Sequence, residues 1–501
     1  MATIKIDSDR RLGQVDRRIY GNFIEHLGRC IYGGVFDEGS PLSDEHGFRK
    51  DVLEASRPLG IPILRWPGGN FVSGYHWIDG VGPVEKRPRR IELAWRGEEP
   101  NRFGTDEFIE YCRALGTEPY ICLNMGSGTM DEAQAWLEYC NGTANTYWAN
   151  LRRANGHPEP YDVKYWGLGN EMYGTWQIGA STPEDYVKKA RQFAAILKWT
   201  DPDIELVSCG QWGWTDWDRI VIEGLAPFVR YHSVHLYTGS GDYYRNVFMP
   251  HQADRALRIC ETLIERARYD QKIEHPIGIA FDEWNVWYRT RTPELRRAGI
   301  EEHYDLSDAL AVATYLNIFI RHCRSVEIAN FAQLVNAIAP IFTRPDGVFL
   351  QTVYHPLRLY AEHAQAVALD PLVDSPEYDL RPEDERDATP TDRPWKVSDL
   401  GPFKLLDVSA TCDTAGRELC IAVVNRDRDQ SIRTSVQLDG RQTAGAIVTY
   451  ELDGATPSTV NSFDQPDAVG VREGRLDVPA GGCFEVTFAP HSLTLLRCQL
   501  D

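Results

Sequence analysis

The chain has 501 residues, 43% hydrophobic and 25% charged, enough apolar material for a large core divided over two or more domains. A formal net charge of −20 repels phosphate backbones and excludes nucleic acid as a partner, and the cations Lys86, Arg87, Arg89 and Arg90 read as a solvated loop. No apolar run reaches the roughly 18 residues of a membrane span, which excludes a membrane-spanning chain.

The opening MATIKIDSDRR is strand-like and lacks the pattern of a secretory signal. β-Branched and aromatic runs then predict strands at 18–23, 62–65, 119–123, 164–169, 205–208, 230–236, 277–281 and 326–332. Amphipathic stretches between them predict helices at 105–115, 182–199, 253–268 and 305–322. Eight strands alternating with helices are the pattern of a (β/α)8 TIM barrel, assigned to residues 15–364. A proline-rich, charged stretch at 376–394 reads as a linker. Beyond it, short alternating runs at 405–410, 418–425, 432–438, 446–452, 484–488 and 492–498 predict an antiparallel, jelly-roll-like β-sandwich. That second domain is assigned residues 1–14 with 365–501. The 11 cysteines, an odd number with no C-x-x-C pair, point to reduced thiols in a cytoplasm rather than to disulfides or zinc.

In such a barrel the reactive groups gather where strands end. The predicted strands are followed or ended by Glu25, Asn70, Asn124, Asn170-Glu171, Gln211-Trp212, His235 and Tyr237, Asp282-Glu283, and Gln333 with Asn336. Amides, carboxylates and aromatic rings on one rim suit a neutral polyhydroxylated ligand, a sugar. Glu171 and Glu283 end strands four and seven, on opposite sides of the barrel, and can face each other across its mouth. Two opposed carboxyl groups are what a retaining glycosidase needs, one as nucleophile and one as acid/base. His232 and His235 are three apart on a strand, point to opposite faces and cannot grip one metal together. No metal or cofactor is expected. Trp66, Trp95, Trp176, Trp284 and Trp287 lie in motif loops and are candidates for stacking on a sugar.

The segments IYGNFIEHLGRCIYGG, RWPGGNFVSGYHWIDGVGP, WGLGNEMYGTWQIG and FDEWNVWY resemble the α-L-arabinofuranosidases of glycoside hydrolase family 51 over the whole chain. The resemblance implies that Glu171 is the acid/base and Glu283 the nucleophile. It implies further that Glu25, Asn70, Asn170, His235, Tyr237 and Gln351 contact the furanose. Trp95, Trp176 and Trp287 are read as walls for the leaving group. It also implies an arabinofuranosyl oligosaccharide substrate and a homo-oligomer, often a hexamer. The sequence departs from the family at NMGSGTMDEA after strand three, where an arginine is missing, and HLYTGSGDYY after strand six occurs in only some members; both loops are expected to border the cavity. A β-D-galactofuranosidase, a β-glycan endo-hydrolase and a catalytically dead sugar-binding protein stay open as alternatives.

Overall fold

The computed structural model describes residues 1–288, 300–381 and 396–501; the predicted linker therefore lies outside the described residues from position 382 onward. Eight parallel strands close in chain order into a barrel: Gly21–Phe23, Ile63–Trp66, Glu118–Cys122, Tyr165–Leu168, Glu205–Ser208, Tyr231–Thr238, Gly278–Val286 and Val326–Ala332. Ile63, Tyr120, Tyr165, Val207, Tyr231, Ala280 and Ile328 fill its interior as a separate buried cluster, so the barrel is packed and leaves no pore along its axis.

The predicted first strand begins instead as a 3-10 turn, Arg17–Tyr20, capped by the Asp16 side chain. That turn places the Arg18 guanidinium under the barrel, where it donates to Tyr165 Oη at 2.6 Å and Tyr231 Oη at 2.9 Å. It also pairs with Asp16 and Glu327. The four predicted helices form as Thr105–Leu115, Pro183–Thr200, His251–Gln271 and Leu306–Arg321. Thr182 and Asp305 cap two of them, each accepting from the backbone N–H three residues on. Every residue from Leu306 to Ile320 is buried, because this helix lies between the barrel and the sheets that follow it.

Those sheets have four and seven strands. Ala2–Asp7 joins the smaller one between Leu372–Asp374 and Ile432–Asp439, and Arg11–Gln14 lies at the edge of the larger one. The sheets are antiparallel, as expected, except that the N-terminal strand Ala2–Asp7 runs parallel to Ile432–Asp439. Four strands of these sheets were not read from the sequence: Arg11–Gln14, Val367–Leu369 and Leu372–Asp374 are only three or four residues long, and Gly470–Leu476 is exposed or partly exposed throughout, which leaves no alternation to read.

The predicted strands six and seven were cut short. Strand six runs on to Thr238 and strand seven to Val286. Their pairing shifts register between Ser233 and His235, and strand seven shifts again against strand eight between Phe281 and Trp284. A bulge of this kind lets neighbouring residues share one face. Asp282 and Glu283 both point into the barrel as a result, and Trp284 is turned outward.

Candidate active site

The rim residues converge on a cavity of about 240 Å³ lined by Glu25, Asn70, Trp95, Glu171, Trp176, Tyr237, Glu283, Trp287, Gln333 and four apolar or glycine positions. A carboxylate oxygen of Glu171, one of Glu283 and a ring nitrogen of His235 all lie within 4.8 Å of one another. Gly68 leaves room for Glu25 to reach this cavity. A Cβ on Gly68 would stand 2.7 Å from Glu25 Cγ, whereas one on Gly69 would make only ordinary contact, at 3.4–3.5 Å, with Glu25, Glu283 and Asn170.

Each oxygen of Glu283 is held. Tyr237 Oη donates to Oε1 at 2.6 Å and Arg65 Nη1 to Oε2 at 2.9 Å. Arg65 also donates to Asn170 Oδ1 at 2.5 Å, which aims the amide so that Nδ2 stands beside the same cavity. Asn170 Nδ2 and Asn70 Oδ1 are buried and make no hydrogen bond among the described residues, an arrangement that calls for a partner from outside the chain. Glu171 adopts a left-handed backbone, φ 43°. Its Oε1 accepts from Tyr173 Oη at 3.0 Å and its Oε2 from the Trp176 indole at 2.8 Å. Glu25 accepts from Phe71 N–H, the Trp95 indole and Gln333 Nε2.

His235 ties the two sides together. Its Nδ1 lies 3.1 Å from Glu171 Oε1 and 3.5 Å from Glu283 Oε2, and its Nε2 lies 3.3 Å from Asp282 Oδ1. Burial alone would lower its pKa, but the charge of Glu283 and the bonds to Asp282 and Glu171 outweigh it and push the imidazole up to about 10. Burial likewise favours a neutral Glu171, and the bond and charge of His235 overcome it, holding that carboxyl below the ordinary range. Both shifts run in the same sense, toward a proton on His235 rather than on Glu171. Burial and then the charge of Glu283 push Glu25 up to about 7. Asp282 is held well below its usual range: burial opposes this, but the charge of Arg65 and the bond from His235 prevail.

Three expectations fail. Gln351 does not line the cavity. Its amide is spent on Tyr304 N–H and the carbonyls of Glu302 and Ala339, so it braces loops behind the wall. Trp66 and Trp284 do not face a ligand either. Trp66 stacks on Phe108 and donates to His26, and Trp284 packs among Tyr315, Phe319 and Phe331. The loop after strand three also stays off the cavity lining. Asn124 folds it on itself, and Gly126 packs against the backbone of Ser73 and Ile178. His232 points outward as expected, between Ser208 and Asp218. Arg65, Asp282 and Tyr173 were not assigned roles. An arginine inside the apolar run PILRW was the available signal, because a buried cation must find a partner.

Two carboxyl groups facing each other across a cavity for one sugar ring, at the open end of a (β/α)8 barrel, define a glycoside hydrolase. Residues 55–255 match the alpha-L-arabinofuranosidase 1 domain and residues 282–492 the alpha-L-arabinofuranosidase C-terminal domain. The chain is 44% identical to the probable alpha-L-arabinofuranosidase C of Aspergillus clavatus, over 100% of this chain and 97% of that one. It is 35% identical to the intracellular exo-alpha-(1->5)-L-arabinofuranosidase 1 of Bacillus subtilis, over 99% of each. The crystal structure of the Thermotoga maritima alpha-L-arabinofuranosidase in its arabinose complex superposes with a TM-score of 0.91 at 41% identity, covering 100% of both chains. The chain belongs to the α-L-arabinofuranosidases of glycoside hydrolase family 51.

Proposed function

We propose that this protein is an exo-acting, retaining α-L-arabinofuranosidase that releases single non-reducing arabinofuranose residues from arabino- and arabinoxylo-oligosaccharides. The observation that carries the reading is the separation of Glu171 and Glu283, whose facing oxygens lie within 4.8 Å. That spacing suits direct attack on the sugar, and it is too short to seat a water between base and anomeric carbon as inversion requires. A cavity of about 240 Å³ supports attack on chain ends, and the exo-acting designation of the Bacillus subtilis relative agrees.

In the first step a Glu283 oxygen bonds to the anomeric carbon as the glycosidic C–O bond breaks. Glu171 gives a proton to the leaving oxygen, drawn from His235 Nδ1 across 3.1 Å. Tyr237 and Arg65 hold the nucleophile in place, and Asn170 Nδ2 meets the hydroxyl beside the reacting carbon, a contact that strengthens as positive charge develops. Forming the sugar ester removes the Glu283 charge that sustains the His235 cation. In the second step water attacks the same carbon, Glu171 takes its proton, and the ester bond breaks. The regained Glu283 charge then draws that proton back to His235, so the cycle closes without net proton change.

Initial rates on nitrophenyl α-L-arabinofuranoside, β-D-galactofuranoside, β-D-xylopyranoside and β-D-glucopyranoside test the reading. The arabinofuranoside is expected to be cleaved fastest. Glu283→Ala loses at least about 10⁴-fold in kcat, and azide restores part of the rate to Glu171→Ala. Preference for another glycoside overturns the specificity, and an inverted product anomer overturns the mechanism.

The protein is further proposed to be a cytoplasmic homo-oligomer, a hexamer by resemblance. Ten buried free cysteines and one exposed free cysteine support a reducing compartment, as does the name of the intracellular Bacillus relative. Among the described residues no helix is long and apolar enough to cross a membrane. Light scattering and cell fractionation test the two statements.

A further inference from the structure

Two isoleucines in the cavity wall hold backbones that β-branched residues rarely adopt. Ile300 has φ 64° and Ile338 φ 41°. Such conformations persist only where the surroundings over-determine them, and here they do. Ile338 N–H donates to the Ile300 carbonyl at 2.9 Å, joining the two segments. Asn285, on strand seven, holds the Ile338 carbonyl at 2.6 Å. Gln351 grips the flanking Glu302 and Ala339 carbonyls at 2.9 and 2.7 Å and accepts from Tyr304 N–H at 2.9 Å. Four parts of the chain are thus bonded together behind two aliphatic side chains, and the wall cannot retreat without releasing those bonds.

Among the described residues the rest of the lining is carboxylate, amide, hydroxyl, indole or glycine, and only Leu27, Ile300 and Ile338 present aliphatic carbon. A furanose whose anomeric carbon lies between Glu171 and Glu283 directs its ring hydroxyls to Glu25, Asn70 and Asn170. The exocyclic substituent is left to the aliphatic side. Resting on the arabinofuranosidase reading, we propose that Ile300 and Ile338 are specificity-determining residues that fix the length of this substituent. A one-carbon hydroxymethyl is accepted. The two-carbon diol of a β-D-galactofuranoside, which shares the ring stereochemistry, is refused because its extra carbon meets the clamped wall and its extra hydroxyl meets aliphatic carbon on Ile300 and Ile338.

The test is kcat/KM on nitrophenyl α-L-arabinofuranoside and β-D-galactofuranoside for the wild type, Ile300→Ala and Ile338→Gly. Glycine takes a positive φ without strain, so the second variant also relieves the backbone; thermal melting checks that both fold. Each variant is expected to lose no more than about tenfold on the arabinofuranoside and to gain at least about tenfold on the galactofuranoside. An unchanged ratio in the folded variants overturns the proposal, as does a wild type that cleaves both equally. If Ile338→Gly fails to fold, Ile300→Ala decides alone. A wild type inactive on the arabinofuranoside overturns the underlying reading instead.

Discussion

His235 shows how a single side chain can set the working pH of a site. Asp282 stands behind it, Glu171 and Glu283 in front, and Arg65 braces both Asp282 and Glu283. Tyr173 and Tyr237 reach the two front carboxylates from the side, and Glu25 lies across Gly69. The site loses its exchangeable proton only when the His235–Glu171 pair deprotonates. Replacing His235 by Gln leaves that proton to Glu171 alone, so the alkaline limb of kcat/KM is expected to move down by more than one pH unit; an unmoved limb rules out proton storage on His235. The folded pKa of about 10 exceeds the ordinary 6.5. The stability this provides is therefore full below pH 6.5 and is withdrawn as pH rises toward 10. The melting temperature of the wild type is expected to fall over that window more steeply than that of His235→Gln. Glu171 and Glu283 were legible in the sequence because each ends an apolar strand, on opposite sides of a predicted barrel. The His235–Asp282 bond was not, since it depends on a register shift that leaves no mark on composition.

At the scale of elements, the bulges in strands six and seven decide which tryptophans serve the site. Strict alternation would put Glu283 and Asp282 on opposite faces; the shift brings both inward and sends Trp284 into the helix layer. Trp284→Ala is expected to cost about 3–5 kcal/mol of stability with little change in KM, measured by urea unfolding beside steady-state kinetics. Trp176 is 53% exposed and donates to Glu171. Trp176→Ala is expected to leave stability within about 1 kcal/mol and to lower the rate most on substrates with poor leaving groups. Exchanged outcomes would place the stacking surface on the wrong ring. All five motif-loop tryptophans looked alike in sequence because loop position does not specify orientation. The barrel itself was readable from the recurrence of short apolar runs. The ends of its longest strands were not, because polar site residues replace the apolar pattern there.

Across the whole molecule, the two ends of the chain share one pair of sheets. Ile4 and Ile6 are 0% and 3% exposed in the strand inserted between Leu372–Asp374 and Ile432–Asp439. Each truncation to Ala is expected to cost about 2–5 kcal/mol. The loss should appear as a lower melting temperature with an unchanged KM, because this strand lies in the sheets rather than in the barrel that carries the cavity. A KM that rose with the loss would mean that the sheets and the site are coupled. The sequence showed that the N-terminus is strand-like but not which way it runs, since register and direction depend on partners more than 400 residues away.

Arg18 and its two tyrosine hydroxyls close the far end of the barrel, and the packed interior blocks the axis above them. Whatever enters by the rim must leave by the rim. A polymer cannot be fed through such a molecule, and each detached sugar blocks the doorway until it departs. On the exo-acting reading proposed above, trimming is expected to be distributive: the remaining chain lets go after every cut, and early samples should show a whole population shortened by one unit before any member is shortened by many.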